Sequence, residues 1–298
     1  MADLPSPGWT ALRVFTHPRL ALRGFQCVGT ILGKFFFFQF RSVLFSGAPP
    51  ISRADHALDE HIPFNPRFVR IYLDFTAFWI RIAGFLCLRY GKRGIALAEE
   101  FIGSVTALYR AAFRVYRKNL STTNRPKYKR GFSFRLIHAL DPHLMCIPSL
   151  HVMIVLHGYS KFRAYAKAMG EAELLQPLAD RIFRGALTII EAVLYVKQHS
   201  VNCVAAAMYA LGRFTPPCFT EGDAETFTAC LFGEEDVPAE YAPFYGPPLV
   251  EKENIPPLRE YILGLYRRFG DSAGEDWTAP LLDFLGNLPR RVPSRGRP

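Results

Sequence analysis

Three short blocks hold the side chains best suited to chemistry on a phosphate ester. They are Lys118 with Arg125-Pro126, then Pro148-Ser149-Leu150-His151, then Lys197-Gln198-His199-Ser200. Breaking such an ester calls for cations around the phosphoryl oxygens, a nucleophile in line, and an acid for the departing alkoxide. Arg125 can clamp two oxygens with its planar guanidinium, and Lys118 adds a point charge. The Pro-Ser pair ahead of an apolar run predicts a helix start, where N–H groups and the helix dipole favour an anion. His151 falls in that first turn, placed to act as a general acid. His199, between two apolar segments, is a competent nucleophile if a hydrogen bond fixes its tautomer. Each block also has a plainer reading: a solvated basic loop, a capped helix with a packed histidine, and a histidine bonded to a carbonyl.

Taken together, the order and spacing of the blocks resemble the signature of the type 2 phosphatidic acid phosphatase superfamily. That pattern runs Lys, six residues, Arg-Pro; then Pro-Ser-x-His; then Ser-Arg, five residues, His, three residues, Asp. Lys118, Arg125 and Pro126 match the first block, Pro148, Ser149 and His151 the second, and His199 the third. The Pro-Ser-Leu-His wording is similar to the branch of inositol phosphorylceramide synthases and related bacterial membrane phosphatases. His61-Ile62-Pro63-Phe64 also resembles the run before that branch's second helix, so the resemblance covers about residues 55–215. It implies that Lys118, Arg125 and Ser149 bind phosphate, that His151 protonates the leaving group, and that His199 forms a phosphohistidine. It implies no metal or organic cofactor, and a lipid phosphate or lipid-linked phosphate as substrate.

The third block departs from the pattern. Ala192 and Val193 stand where Ser-Arg belongs, and Cys203 where Asp belongs. In the family that Asp accepts a hydrogen bond from the nucleophilic His, and losing such an orienting acid can cost orders of magnitude in rate. Cys203 shares a helical face with His199 but is a poor acceptor, and Asn202 is one residue out of register. Glu191 is the nearest acid in sequence, about 12 Å away along a continuous helix. Lys197 is a possible replacement for the lost positive charge. A catalytically inactive relative that binds lipid phosphate or a protein partner is therefore the alternative to an enzyme.

These blocks need a scaffold, and the first 218 residues read as apolar helices joined by short connections. The candidates are Leu20–Phe45, Phe68–Leu88, Ile95–Phe113, Pro148–Tyr165, Phe183–Val196 and Val201–Phe214. The expected fold is all-α: a polytopic membrane bundle of about six helices with a phosphatase/haloperoxidase-like core over residues 1–218, plus a C-terminal appendage over 219–298. The resemblance implies a bacterial inner membrane with the active site on the extracytoplasmic side; three basic loops agree with an inside N-terminus, whereas Arg114–Arg135 would then lie outside, as a phosphate-binding loop. Against this stand Lys34, Asp74, Arg81, Glu99, Glu100 and Glu191 within the runs, and a mean hydropathy of only +0.07. Charges at such depth cost on the order of 3 kcal/mol each, so a soluble bundle is the rival.

Composition limits the partners. Residues 1–218 carry 28 Lys/Arg and 12 Asp/Glu, whereas residues 219–298 carry 8 and 14. The basic first part suits phosphate or anionic lipid; no nucleic-acid-binding signature accompanies it. Six scattered cysteines without a C-x-x-C pair argue against a zinc site or a disulfide scaffold. Met1–Trp9 does not read as a signal peptide. Pro256–Phe269 and Trp277–Leu285 read as short amphipathic helices, and Pro289–Pro298 as a disordered tail.

Overall fold

Prolines set the start of the first two helices, as expected where the first-turn N–H has no partner to lose. Ser6 caps α1 (Pro7–Thr16), and α2 (Pro18–Ile31) runs through a π-helical stretch, Leu32–Phe37, into α3 (Phe38–Leu44). The computed structural model describes residues 4–45, 48–126, 128, 131–215, 218–233, 237–246 and 250–291. It is 70% helix and 3% strand, so the all-α expectation holds.

After β1 (Ile51–Arg53) and the short α4 (Val69–Leu73) comes α5 (Phe75–Tyr116). This helix is really a hairpin. Gly91 adopts φ +55°, ψ −124°, a conformation other residues resist. The Trp79 and Phe101 rings lie 6.5 Å apart, whereas a straight helix would separate them by about 33 Å. A Cβ at Gly94 would fall 1.9 Å from the Leu86 carbonyl oxygen, so only glycine lets the arms meet there. The two arms correspond to the separate segments expected at Phe68–Leu88 and Ile95–Phe113.

The chain continues through β2 (Leu120–Thr122) and α6 (Phe132–Leu140) into three central helices, α7 (Leu150–Ala168), α8 (Gln176–Tyr195) and α9 (Val201–Phe214). Every residue of α9 from Val201 to Leu211 is buried. The C-terminal part adds α10 (Glu221–Cys230), α11 (Ile255–Asp271) and α12 (Ala279–Asn287), of which α11 packs along α9 opposite the cover that α7 provides. Tyr261 Oη donates to Asn202 Oδ1 at 2.7 Å, and Tyr209 Oη donates to the Trp277 carbonyl at 3.0 Å.

Residue 218 therefore marks a change of composition, with one core on both sides of it. Phe227, Leu258, Ile262 and Leu281 belong to the same buried cluster as Val155 and Ala206. The tail is also partly fixed. Arg53 N–H donates to the Pro289 carbonyl at 2.7 Å and Arg291 N–H to that of Ile51 at 2.9 Å, beside the parallel β1–β2 pair. Residues 292–298 lie outside the described residues.

Among the described residues, two helical stretches are long and apolar enough to cross a membrane, Pro18–Leu44 and Pro66–Tyr116. At 14 residues, α9 measures about 21 Å, short of the roughly 30 Å hydrocarbon core. The outer side of α11, running beside α9, exposes Glu260, Arg267, Arg268 and Asp271.

Candidate functional site

The break between α8 and α9 builds the site. Helix α8 ends at Tyr195, and Lys197 takes φ +55°, a left-handed turn that usually falls to glycine. The turn folds the chain back, so the N–H groups of Gln198 and His199 both donate to the Val193 carbonyl, at 3.1 and 3.2 Å. On the other side Ser200 caps α9, its Oγ accepting from Asn202 N–H at 3.0 Å and donating to the Ala54 carbonyl at 2.5 Å. Asp59 adds a carboxylate at the same helix start, accepting from Val201 N–H at 2.9 Å. Burial pushes the Asp59 carboxyl up to about 6, although its two backbone donors and Lys197 pull it down. His199 is thus fixed between a left-handed turn and a capped helix.

The second histidine arrives from α7. Ser149 caps that helix, accepting from Val152 N–H at 3.4 Å, and Tyr116 Oη holds the preceding Pro148 carbonyl at 2.5 Å. His151 lies in the first turn, its ring stacked on Tyr72 at 4.5 Å and against Phe75 at 4.1 Å. Its Nδ1 is 3.2 Å from Nε2 of His199. One of the two nitrogens must carry the proton they share.

A third imidazole completes the row. His143 is buried, bonds Thr123 Oγ1 through Nε2 at 2.7 Å, and has its ring centre 6.5 Å from that of His199. Burial first, then the charge of Arg125, holds His143 well below the usual imidazole range. Burial likewise lowers His199 to about 4; the Cys146 backbone comes near enough to offset a little of this, though without hydrogen-bond geometry. Both rings are neutral at pH 7.

Arg125 is tied to this row from the outside. Its guanidinium donates to Gln198 Oε1 at 3.2 Å and to the Asp141 carbonyl at 3.0 Å. It lines a polar pocket of about 220 Å³ with Arg53, Arg291, His143, Thr123 and Asn124. Three guanidiniums and no carboxylate in that lining fit an anion. Behind His151 lies a different space, about 310 Å³ and mainly apolar, lined by Phe35, Phe36, Tyr72, Trp79, Tyr109 and Leu136 among others. The histidine row separates the two.

Of the residues singled out from sequence, Arg125, Ser149, His151 and His199 share this region. Lys118 does not contact it among the described residues: it is exposed, and its Nζ lies 4.0 Å from an Asp276 oxygen. Lys197 directs its ammonium to the Asp59 carbonyl. Cys203 Sγ accepts from Ser200 N–H at 3.4 Å as part of the α9 cap. Glu191 accepts from Phe232 N–H at 2.6 Å and Tyr245 Oη at 2.9 Å, securing the C-terminal part to α8. Asn202 holds Ala54 and Tyr261. Nδ1 of His199 is buried and makes no hydrogen bond among the described residues.

Sequence reasoning missed His143, Arg53 and Arg291, and gave Gln198 no role of its own. The Asp141-Pro142-His143 turn ahead of Pro148 was a usable local signal. Nothing local to Arg53 or Arg291 pointed to the site. Among the described residues no group of three His, Cys, Asp or Glu side chains is arranged to hold a metal ion. No family model, curated protein or solved structure matches the chain.

Proposed function

We propose that this protein is a phosphoric-ester hydrolase or phosphotransferase that works through a phosphohistidine on a lipid-linked phosphate, with arginines supplying the positive charge. The contact between His199 Nε2 and His151 Nδ1, beside an arginine-lined pocket on one side and an apolar one on the other, carries this reading. The polar pocket suits the phosphate and the apolar pocket the chain.

The phosphoryl group parts the two imidazoles as it binds. An incoming phosphate monoanion charges His151 by giving up its proton to it. Nε2 of His199 then forms a bond to phosphorus while the bond from phosphorus to the leaving alkoxide breaks, and the His151 imidazolium, a form that burial and His199 otherwise disfavour, passes that proton to the alkoxide. Neutral His151 then takes a proton from water, or from an acceptor alcohol, as that oxygen attacks phosphorus and the P–N bond breaks. Water gives inorganic phosphate; an alcohol gives a new ester. Because His199 is neutral well below pH 7, its lone pair is available without prior deprotonation.

The same proposal places the protein at a membrane, supported by the two long apolar stretches. Six crossings would require lipid around α7, α8 and α9, and those helices are wrapped by protein. The lipid contact is therefore drawn on the α1–α3 side. The extracytoplasmic placement expected from loop charges depended on the crossings and goes with them.

One observation favours the second reading, an inactive relative that binds lipid phosphate or a protein. Among the described residues Nδ1 of His199 makes no hydrogen bond, and the Cys203 thiol is engaged elsewhere. Detergent-purified protein, given phosphatidic acid and polyprenyl diphosphate with EDTA present, separates the two. The enzyme reading expects phosphate release that His199→Ala abolishes, with acid-labile, alkali-stable phosphate on the wild-type chain. Equal silence of wild type and His199→Ala on both substrates, with retained phosphate-lipid binding, would establish the inactive relative.

A further inference from the structure

Exposed large apolar side chains are gathered on one side of this molecule. Seventeen stand out along the described chain, and twelve of them lie between Trp9 and Phe45. Helix α2 shows how they arise. Leu20, Gly24, Cys27 and Thr30 form a buried stripe against α5, and the opposite face presents Leu22, Phe25 and Val28 to the outside. The same outward face continues through Leu32 and Phe37 to Phe40 and Leu44. A soluble helix would be polar there.

Charge identifies what covers this face. From Leu4 to Phe45 there are five cations, Arg13, Arg19, Arg23, Lys34 and Arg41, and no acidic residue. A second copy of the chain would bring like charges together, whereas an anionic lipid surface neutralises them. The far side of the molecule has the opposite character. There α7, α10 and α11 pair charged groups near the surface, Arg163 with Asp223 at 2.8 Å and Arg267 with Glu221 at 2.9 Å, and among the described residues no large exposed apolar side chain follows Leu174. The apolar pocket also reaches the α1–α3 side, since Ile31, Phe35 and Phe36 form part of its wall.

We propose that the protein binds one leaflet of an anionic bilayer through the outer face of α1, α2 and α3, lying in the interface without crossing it. Leu22, Phe25, Leu32, Phe37, Phe40 and Leu44 enter the acyl region, and the arginines meet lipid phosphates at its edge. Charged α11 stays in water. This assignment is independent of whether the histidines catalyse, because its readout is binding.

Flotation of purified protein with preformed vesicles tests it, comparing phosphatidylcholine alone with a mixture rich in phosphatidylglycerol. Binding is expected to be more than tenfold stronger to the anionic vesicles, and protein should move from loaded to fresh vesicles. Leu22→Asp with Phe37→Asp, both at exposed positions, should reduce binding more than tenfold with unchanged circular dichroism and melting temperature. Arg19→Glu with Arg41→Glu should remove the preference for anionic lipid while leaving the fold intact. Protein that stays locked in its first vesicles would show a crossing arrangement and overturn the proposal. So would flotation indifferent to the aspartates. Failure to float, with a dimer in solution that Phe37→Asp dissociates, would assign the face to a second copy instead.

Discussion

Replacing His199 by glutamine should change how the protein's stability responds to acid, by an amount that follows from the burial of that ring. In the unfolded chain an imidazole titrates near 6.5, and in the folded site burial lowers His199 to about 4. The folded state therefore binds fewer protons than the unfolded state between these values, so stability rises with pH across that window. Its contribution is fully present above about pH 6.5 and is lost as pH falls toward 4. A difference of this size corresponds to about 3 kcal/mol. Asp59 works in the opposite sense. Its carboxyl is raised to about 6, so it favours the folded state at low pH and loses that advantage as pH rises from about 4 to 6. The total slope is thus a balance, and only a difference between variants isolates the histidine. Urea unfolding in a fixed detergent or lipid mixture, repeated from pH 8 to pH 4, supplies that difference. Wild type should lose about 3 kcal/mol more than His199→Gln over the range, with the gap opening between pH 6.5 and 4. Parallel stability curves for the two proteins would refute the reasoning, because they would mean that His199 is as easily protonated in the fold as in water.

Glu191→Gln should destabilise the protein by about 2–4 kcal/mol, since two buried donors, Phe232 N–H and Tyr245 Oη, lose a charged acceptor; any activity should keep its pH profile, as Glu191 does not touch His199. Arg125→Lys should raise the KM for a phosphate-bearing substrate about tenfold with a smaller effect on kcat, because an ammonium cannot hold Gln198, the Asp141 carbonyl and a phosphate together. Thr76→Phe, on the wall of the apolar pocket, should slow turnover of long-chain substrates several-fold and spare a short soluble phosphate ester; equal loss on both would detach that pocket from the substrate.

How much of this was readable in the sequence depends on the range of the signal. His151 was placed in the first turn of α7 because Pro148-Ser149 ahead of an apolar run is a local helix-start signal, and Ser149 does cap that helix. His199 was placed between two helices for the same kind of reason. Their mutual contact was not readable locally, and came only from the family spacing. The division between Phe68–Leu88 and Ile95–Phe113 was legible as well, because the basic residues Arg89, Lys92 and Arg93 interrupt two apolar runs, and the chain reverses there at Gly91. Lys118 shows the limit: six residues of spacing from Arg125 do not say which way a long side chain turns, and Asp276, 158 residues later, draws it outward. Glu191 shows another. Its place in an apolar run suggested a membrane-depth acid, whereas its partners come from a segment whose packing no local pattern revealed. The six expected crossings meet two stretches long and apolar enough to span among the described residues. An apolar helix covered by protein and one covered by lipid have similar compositions, and only the packing of α11 on α9 tells them apart.

The polarity of the site matches the polarity of the whole molecule, and this bears on the missing aspartate. On the α1–α3 side the apolar pocket ends at His151; across the row, His143 and Arg125 line the arginine pocket. A phosphate held by Arg125, Arg53 and Arg291 would bring negative charge close to His199. That charge would favour the imidazolium character which develops as Nε2 bonds to phosphorus, the task the pattern otherwise gives to an Asp at position 203. Orientation of the ring is supplied by other means. The left-handed turn at Lys197, the paired bonds to the Val193 carbonyl and the Ser200 cap restrain the His199 backbone from both sides. What remains unsupplied among the described residues is a charged acceptor for Nδ1–H, the Cys146 backbone being only near it. In a low-dielectric site that deficit costs most when the ring is charged, so it should appear as a slow chemical step and leave substrate binding largely intact. Cys203→Asp then has a definite sign: it should raise kcat with little change in KM if the carboxylate reaches Nδ1. A fall in stability with no gain in kcat would show that the α9 cap at Ser200 keeps that side chain for itself.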